Sequence, residues 1–171
     1  DDIVHALYRE DASLRAALGA RFGTSVLVPD GINRVELGRM VFADPQARLD
    51  LEALVHPRVH DREAEFLARA RADGYALAVI EAVKVVESGG ADCCDELWIV
   101  TCPEATAITR LASRGVGAEE AARRLATQGD LHTWIGTFQS QSERVGRPRA
   151  VVVIDNGGTL AQAHAQIDAL T

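Results

Sequence analysis

Apolar and polar positions follow two different patterns along this chain. Up to about residue 73 the apolar residues recur at helical spacing, and beyond it they gather into continuous runs. The first part predicts helices over 1–9 and 11–22. Leu14, Ala17, Leu18 and Phe22 fall three and four residues apart, and Gly23 stops the second helix. Asp1 and Asp2 suit a first helical turn, where carboxylates meet unpaired N–H groups. The stretch VLVPDGIN reads as a short extended piece and a turn, because Pro29-Asp30-Gly31 is turn chemistry. RVELGRMVFAD returns to a helical pattern. Residues 45–73 are long and charged, with apolar positions at Leu49, Leu51, Leu54, Val55, Val59 and Phe66. Pro57 interrupts them, which predicts two helices or one kinked helix.

The second pattern consists of YALAVIEAV, LWIVTC and AVVVIDN, each a continuous apolar run. Such runs predict parallel-type strands covered on both faces, with Val79, Ile80, Ile99 and Val100 in the core. ATAITRLASR, AEEAARRLATQ and LAQAHAQIDAL supply helices between or after them. Strands alternating with helices indicate a parallel α/β sheet. Ligands of such sheets bind at the carboxyl ends of the strands. Those ends are Glu81, Thr101-Cys102 and Asp155-Asn156-Gly157-Gly158.

Composition narrows the classes. The 171 residues are enough for one domain with a sizeable core, and 47% are hydrophobic. A net charge of −7 argues against broad binding to nucleic acid or anionic membranes. The cysteines Cys93, Cys94 and Cys102 are odd in number and lack metal-ligand spacing, as expected of reduced cytoplasmic thiols. No apolar run is long enough for a bilayer, and no signal peptide is visible.

Several motifs occur in a fixed order. DDIVHALY comes first, then DGINRVELGRMVFADPQARLDLEALVHPRV, VIEAVKVVESGGADCCDELWIV, RLASRG with EEAARRLATQ, and VVVIDNGG. Together they resemble dephospho-coenzyme A kinase, a P-loop kinase of the nucleoside-monophosphate kinase type. The segment from Asp30 to Pro57 is the most specific part, with an Asp-Gly-x-Asn-Arg turn, a Val-Phe-x-Asp-Pro junction and a Leu-x-His-Pro element. The resemblance implies a three-layer α/β/α parallel sheet. It also implies a helical CoA-side lobe over 10–73, a lid over 103–148, and a sheet core from 75–102 and 149–171. No G-x-x-x-x-G-K-[ST] phosphate loop occurs in these residues. The family's first strand, phosphate loop and second strand are expected to precede Asp1, and the 171 residues alone are expected to be inactive.

The implied reaction moves the γ-phosphoryl of ATP, with Mg²⁺, to the ribose 3′-hydroxyl of dephospho-CoA. That is the last step of CoA synthesis, with neither nucleic acid nor membrane as partner. The competing readings are a degenerate, non-catalytic domain that binds a CoA-type ligand, and another small-molecule P-loop kinase.

Asp1 matches the family carboxylate at the attacking hydroxyl, with His5 at the family's basic position. Arg34, His56, Glu81 and Lys84 are the substrate-side candidates. Arg34 follows the Asp-Gly turn, and a helix-capping arginine would need the same residue. His56 precedes Pro57 in the substrate-facing element. Glu81 stands at the acidic position of the family's Asp-Val-Pro-Leu-Leu-x-Glu motif, where Val83 and Lys84 depart from the pattern. It is suited to reach magnesium through water. Lys84 is suited to pair with Glu81 or with substrate, and an ion pair at the sheet edge would explain both residues equally. Arg114 is the lid candidate, since a guanidinium grips phosphate, and Arg110 beside it reads as structural. Arg144 is a phosphate-side candidate. Asn156 and Gly157 match the adenine loop, although a plain strand-to-helix turn needs the same residues. No residue is assigned as a resident metal ligand.

Overall fold

The computed structural model describes residues 2–126, 128–146 and 149–170, excluding the side chains of 142–145. The chain forms two compact units, Asp1–Ala82 and Val83–Thr171.

The first unit is helical. It contains α1 (Asp2–Glu10), α2 (Ala12–Phe22), a 3₁₀ turn (Thr24–Val26), β1 (Leu27–Val28), β2 (Gly31–Ile32), α3 (Arg34–Ala43) and α4 (Pro45–Ala72). Leu14, Leu18 and Val26 are fully buried, and Leu7, Phe22, Leu37 and Val55 join them in one core. Each such side chain contributes about 1.5–3 kcal/mol on burial.

The starts of α2, α3 and α4 are set by side-chain caps. Asp11 accepts from the Leu14 N–H (2.9 Å), Asn33 from the Glu36 N–H (3.2 Å) and Asp44 from the Gln46 N–H (2.8 Å). Pro45 opens α4, where its missing N–H costs nothing. β1 and β2 are the arms of a two-residue hairpin, pairing Leu27 with Ile32 and Val28 with Gly31.

The motif Asp-Gly-x-Asn-Arg is therefore a turn followed by a cap, and Asp-Pro is a cap followed by a first helical residue. Gly31 has φ +146°, and a Cβ there would stand 2.9 Å from the Tyr8 carbonyl oxygen. Only glycine lets the hairpin lie this close to the end of α1. Of the two outcomes left open for residues 45–73, the single helix holds, with Pro57 inside α4. Pro57 deprives the Ala53 carbonyl of its helical donor. One residue on, Arg58 Nη1 donates to the Leu54 carbonyl (2.7 Å) while its Nε reaches Asp11 Oδ2 (3.2 Å).

The second unit holds a 3₁₀ turn (Gly90–Cys93), β3 (Glu96–Thr101), α5 (Glu104–Ser113), α6 (Ala118–Ala126), α7 (Leu131–Val145), β4 (Ala150–Asp155) and α8 (Leu160–Asp168). β3 and β4 pair in parallel, in register from Glu96 with Ala150 to Thr101 with Asp155. The fold class is thus mixed α/β with a parallel sheet, as expected. Phe138 of α7 is fully buried against Val86, Leu97 and Ile99, and Trp134 packs beside it. Gln166 of α8 closes the end of β4. Its Oε1 accepts from the Asp155 N–H (2.9 Å) and its Nε2 donates to the Asp155 carbonyl (2.8 Å). One side-chain amide thereby supplies what a neighbouring strand would.

Two expectations fail. YALAVIEAV is not a strand. Residues 77–82 have no regular structure, and Leu77 and Val79 are 74% and 72% exposed. Among the described residues the parallel sheet has only two strands. Without a ladder partner an extended apolar run leaves its backbone groups to water and has no face to bury. β3, expected to be covered on both faces, alternates: Leu97 and Ile99 are buried, whereas Val100 is 63% exposed. No helix among the described residues is long and apolar enough to cross a membrane.

Candidate functional site

In the first unit an open cleft of about 210 Å³ lies between α1, α3 and α4. Val4, Leu37, Val41 and Leu51 give it apolar walls, and His5, Tyr8 and Arg34 give it polar groups. The amphipathic turns of α1 bring His5 and Tyr8 to one face, three residues apart. The Asn33 cap sets the first turn of α3 and so places Arg34. Burial pushes the Tyr8 hydroxyl above the usual tyrosine range, and the Arg34 guanidinium opposes that shift. A cation, a neutral donor and an imidazole over apolar walls suit a ligand with an anionic end and an apolar arm.

The other predicted residues of this unit are spread out. Asp1 lies outside the described residues. His56 is half-buried on α4, its ring 6.3 Å from that of His60 and stacked with it. Glu81 is exposed in the extended segment. Sequence reasoning missed Asp11 and Arg58 as a pair. The Leu14 N–H and the Ser13 hydroxyl hold the Asp11 carboxyl below the usual carboxylate range, with a smaller contribution from Arg58.

In the second unit the carboxyl ends of β3 and β4 stand side by side. The Asn156 N–H donates to the Thr101 carbonyl (2.7 Å), and the Gly157 N–H donates to Asp155 Oδ1 (2.7 Å). A Cβ on Gly157 would meet Pro103 Cδ at 2.7 Å, so this turn has room for glycine alone. Arg110 reaches across from α5, donating to the carbonyls of Asn156 (2.7 Å) and Gly158 (3.0 Å). That is the structural part expected of Arg110. Both ends of the Asn156–Gly158 turn are thereby held rigid.

A shallow groove beside this turn is lined by Asp155, Gly158, Gln162 and Gln166. Arg114 is exposed at the carboxyl end of α5, its backbone N–H donating to the Leu111 carbonyl (3.0 Å). Lys84 is exposed in the turns that open this unit. The side chain of Arg144 lies outside the described residues. Arg123 and Arg124 pair with Glu120 (2.7 and 2.9 Å), three and four residues before them on α6.

Comparison with known proteins places the chain. The family model for dephospho-CoA kinase matches residues 1–162. A dephospho-CoA kinase from Geobacter sulfurreducens is 34% identical over 170 residues, covering 98% of this chain and 80% of the relative. One from Geobacter metallireducens is 38% identical over 156 residues, covering 90% and 72%. The solved dephospho-CoA kinase from Campylobacter jejuni shares the fold, with a TM-score of 0.60 at 20% identity over 99% of this chain and 80% of that one. On the match across nearly all its length, this chain belongs to the dephospho-CoA kinase family.

Proposed function

We propose that this protein phosphorylates the ribose 3′-hydroxyl of dephospho-CoA at the expense of ATP, yielding coenzyme A and ADP in the cytoplasm. The observation that carries the reading is the family match over residues 1–162, with relatives of that name aligned along 98% and 90% of the chain. The geometry supports it: a cleft with cationic and apolar walls in the first unit, and a rigid glycine turn at paired strand ends in the second.

The assignments are as follows. Asp1 orients the 3′-hydroxyl and takes its proton as the phosphorus–oxygen bond forms. Arg34 and His56 bind the anionic part of dephospho-CoA from the helical lobe, 10–73. Lys84 supplies a further cation on the substrate side. Arg114, in the lid region 103–148, and Arg144 neutralise the ATP phosphates. The turn at Asn156 and Gly157 receives the adenine. Mg²⁺ fits this donor set in one form only. The described residues hold no group of three or more His, Cys, Asp or Glu that would make a cage. Magnesium in kinases keeps its waters and is held by one or two carboxylates together with substrate phosphates. The exposed Glu81 carboxylate is the group to approach it through water. When bound, the ion neutralises charge on the β- and γ-phosphates.

The test is turnover. The 171 residues contain no phosphate-loop motif. The assay therefore uses two proteins: the 171 residues, and a hybrid in which the amino-terminal segment of the Geobacter sulfurreducens relative precedes them. The hybrid should convert dephospho-CoA and ATP to CoA with the new phosphate on the 3′ oxygen, and the 171 residues should not. A folded hybrid that gives no CoA overturns the reading.

A further inference from the structure

Gly38 is the fifth residue of the ten-residue α3. A glycine in a helix interior weakens the helix relative to alanine, so its place there needs a reason. Crowding is not that reason. A Cβ on Gly38 would meet no side chain and no neighbouring element within 4 Å, whereas one on Gly19 of α2 would stand 2.9 Å from Leu27 Cδ1. Gly136 of α7 is equally open, but it borders neither groove described above. What sets Gly38 apart is its position. With Arg34, Leu37 and Val41 it makes the stripe of α3 that walls the cleft of about 210 Å³. From α1, Tyr8 borders the same cleft. Tyr8 is only 9% exposed, and its hydroxyl has no hydrogen-bond partner among the described residues. Burial raises its pKa, so the hydroxyl is a neutral donor at pH 7.

We propose that this cleft holds the pantetheine arm of dephospho-CoA, that Gly38 leaves the room the arm fills, and that Tyr8 donates a hydrogen bond to one of its amide carbonyls. The inference rests on the reading of dephospho-CoA as the substrate. The cleft is smaller than the roughly 300–1,000 Å³ that takes a whole drug-sized ligand, so it receives one part of the substrate. The adenine end is planar, and the ribose separates it from the diphosphate. The arm is a branched aliphatic chain joined directly to the diphosphate, with amides along it. Leu37 and Val41 match the aliphatic branch, the single neutral donor matches an amide, and Arg34 on the same wall matches the adjoining phosphates. With no side chain on Gly38, the arm can lie against the backbone of α3.

The experiment compares two acceptors in the active hybrid: dephospho-CoA, and AMP, which carries the same ribose 3′-hydroxyl without the arm. Gly38→Ala should raise the melting temperature by about 2–6 °C, because alanine is the better helix former. It should also raise KM for dephospho-CoA about tenfold or more, since one misplaced methyl-sized group in a pocket costs about 10–200-fold. Gly38→Leu should raise that KM further. Tyr8→Phe should raise it about twofold to tenfold, the worth of a neutral hydrogen bond, with kcat near wild type. KM for AMP should stay within about twofold in all three variants. A gain in stability with a loss of affinity is a pairing that a purely structural glycine does not give.

Calorimetry with 4′-phosphopantetheine, the arm with one phosphate and no nucleoside, separates this inference from the proposed reaction. A hybrid that makes no CoA, yet binds this probe and loses it in Gly38→Leu, would keep the arm site while the reaction fell. Three results would overturn the proposal: a KM for dephospho-CoA that neither Gly38 variant changes, equal rises for the two acceptors, or probe binding that survives Gly38→Leu. An unchanged KM in Tyr8→Phe would remove the tyrosine from it.

Discussion

The two units bury their apolar residues by different means. In the first unit ten of the described residues, from α1 to α4, form one buried cluster, and the starts of α2, α3 and α4 are each fixed by a side-chain cap. In Val83–Thr171 the buried cluster is smaller and centres on one aromatic, Phe138, laid against a two-stranded sheet. Caps and turns act locally, so the first unit needs few distant partners to define its helices. Strands take their identity from neighbours far along the chain, and an apolar run without a neighbour stays open. The segment 77–82 shows this within the first unit itself: its residues are as apolar as those of β4, yet it forms no ladder.

The largest expected effect is in hydrogen exchange of the 171-residue protein. Amides in the interior of α2 should be protected by most of the global stability, about 5 kcal/mol or more, and those of 77–82 by almost nothing. Equal protection in the two segments would show that 77–82 is a strand, and the contrast would vanish.

Next is the dependence of the second unit on one side chain. Phe138→Ala should cost about 3–5 kcal/mol, read by the fluorescence of Trp98 and Trp134, both of which belong to that unit. A cost below about 1 kcal/mol would mean that the core is shared more evenly than the burial suggests.

In the first unit the test is the cap. Asp11→Ala should cost about 0.5–2 kcal/mol by removing the acceptor for the Leu14 N–H. Asp11→Asn keeps that acceptor and should cost less, because it loses only the charge facing Arg58. The same pair gives the smallest effect, a pH dependence. The folded Asp11 carboxyl sits below its unfolded value of about 3.9, so its stabilisation is complete above that pH and is lost as pH falls through the folded value. The melting-temperature gap between wild type and Asp11→Asn should be constant near neutrality and close in acid. A gap that widens as pH falls would reverse the assignment.

What could be read from the sequence follows the same division. The helices of the first unit, the Pro29-Asp30-Gly31 turn and the stop at Gly23 are local signals, and they appear where expected. β3, β4, α5, α6 and α8 were legible from period and composition, whereas α7, which supplies Phe138 and Trp134, was not expected. Residues 75–83 were not, because a continuous apolar run states what a segment can bury and not whether a partner is present. Among the candidate residues, Arg34 and the Asn156–Gly158 turn were named from ordered motifs, and the structure places Arg34 in the wall of the cleft. Arg58 with Asp11, and Arg149 with the Cys94 carbonyl, carry no local signature: their partners lie 47 and 55 residues away. Only the fold brings them together.

The proposed function divides the two arginines: Arg34 of the helical lobe serves dephospho-CoA, and Arg114 of the lid region serves ATP. The most direct measurement is the pair of KM values in the active hybrid for Arg34→Ala and Arg114→Ala. Losing one charge-assisted hydrogen bond costs about 1.5–3 kcal/mol, or roughly 10–100-fold in binding. Arg34→Ala should raise KM for dephospho-CoA by that factor and leave KM for ATP within about threefold, and Arg114→Ala should do the reverse. Equal damage to both substrates in either variant would contradict the division.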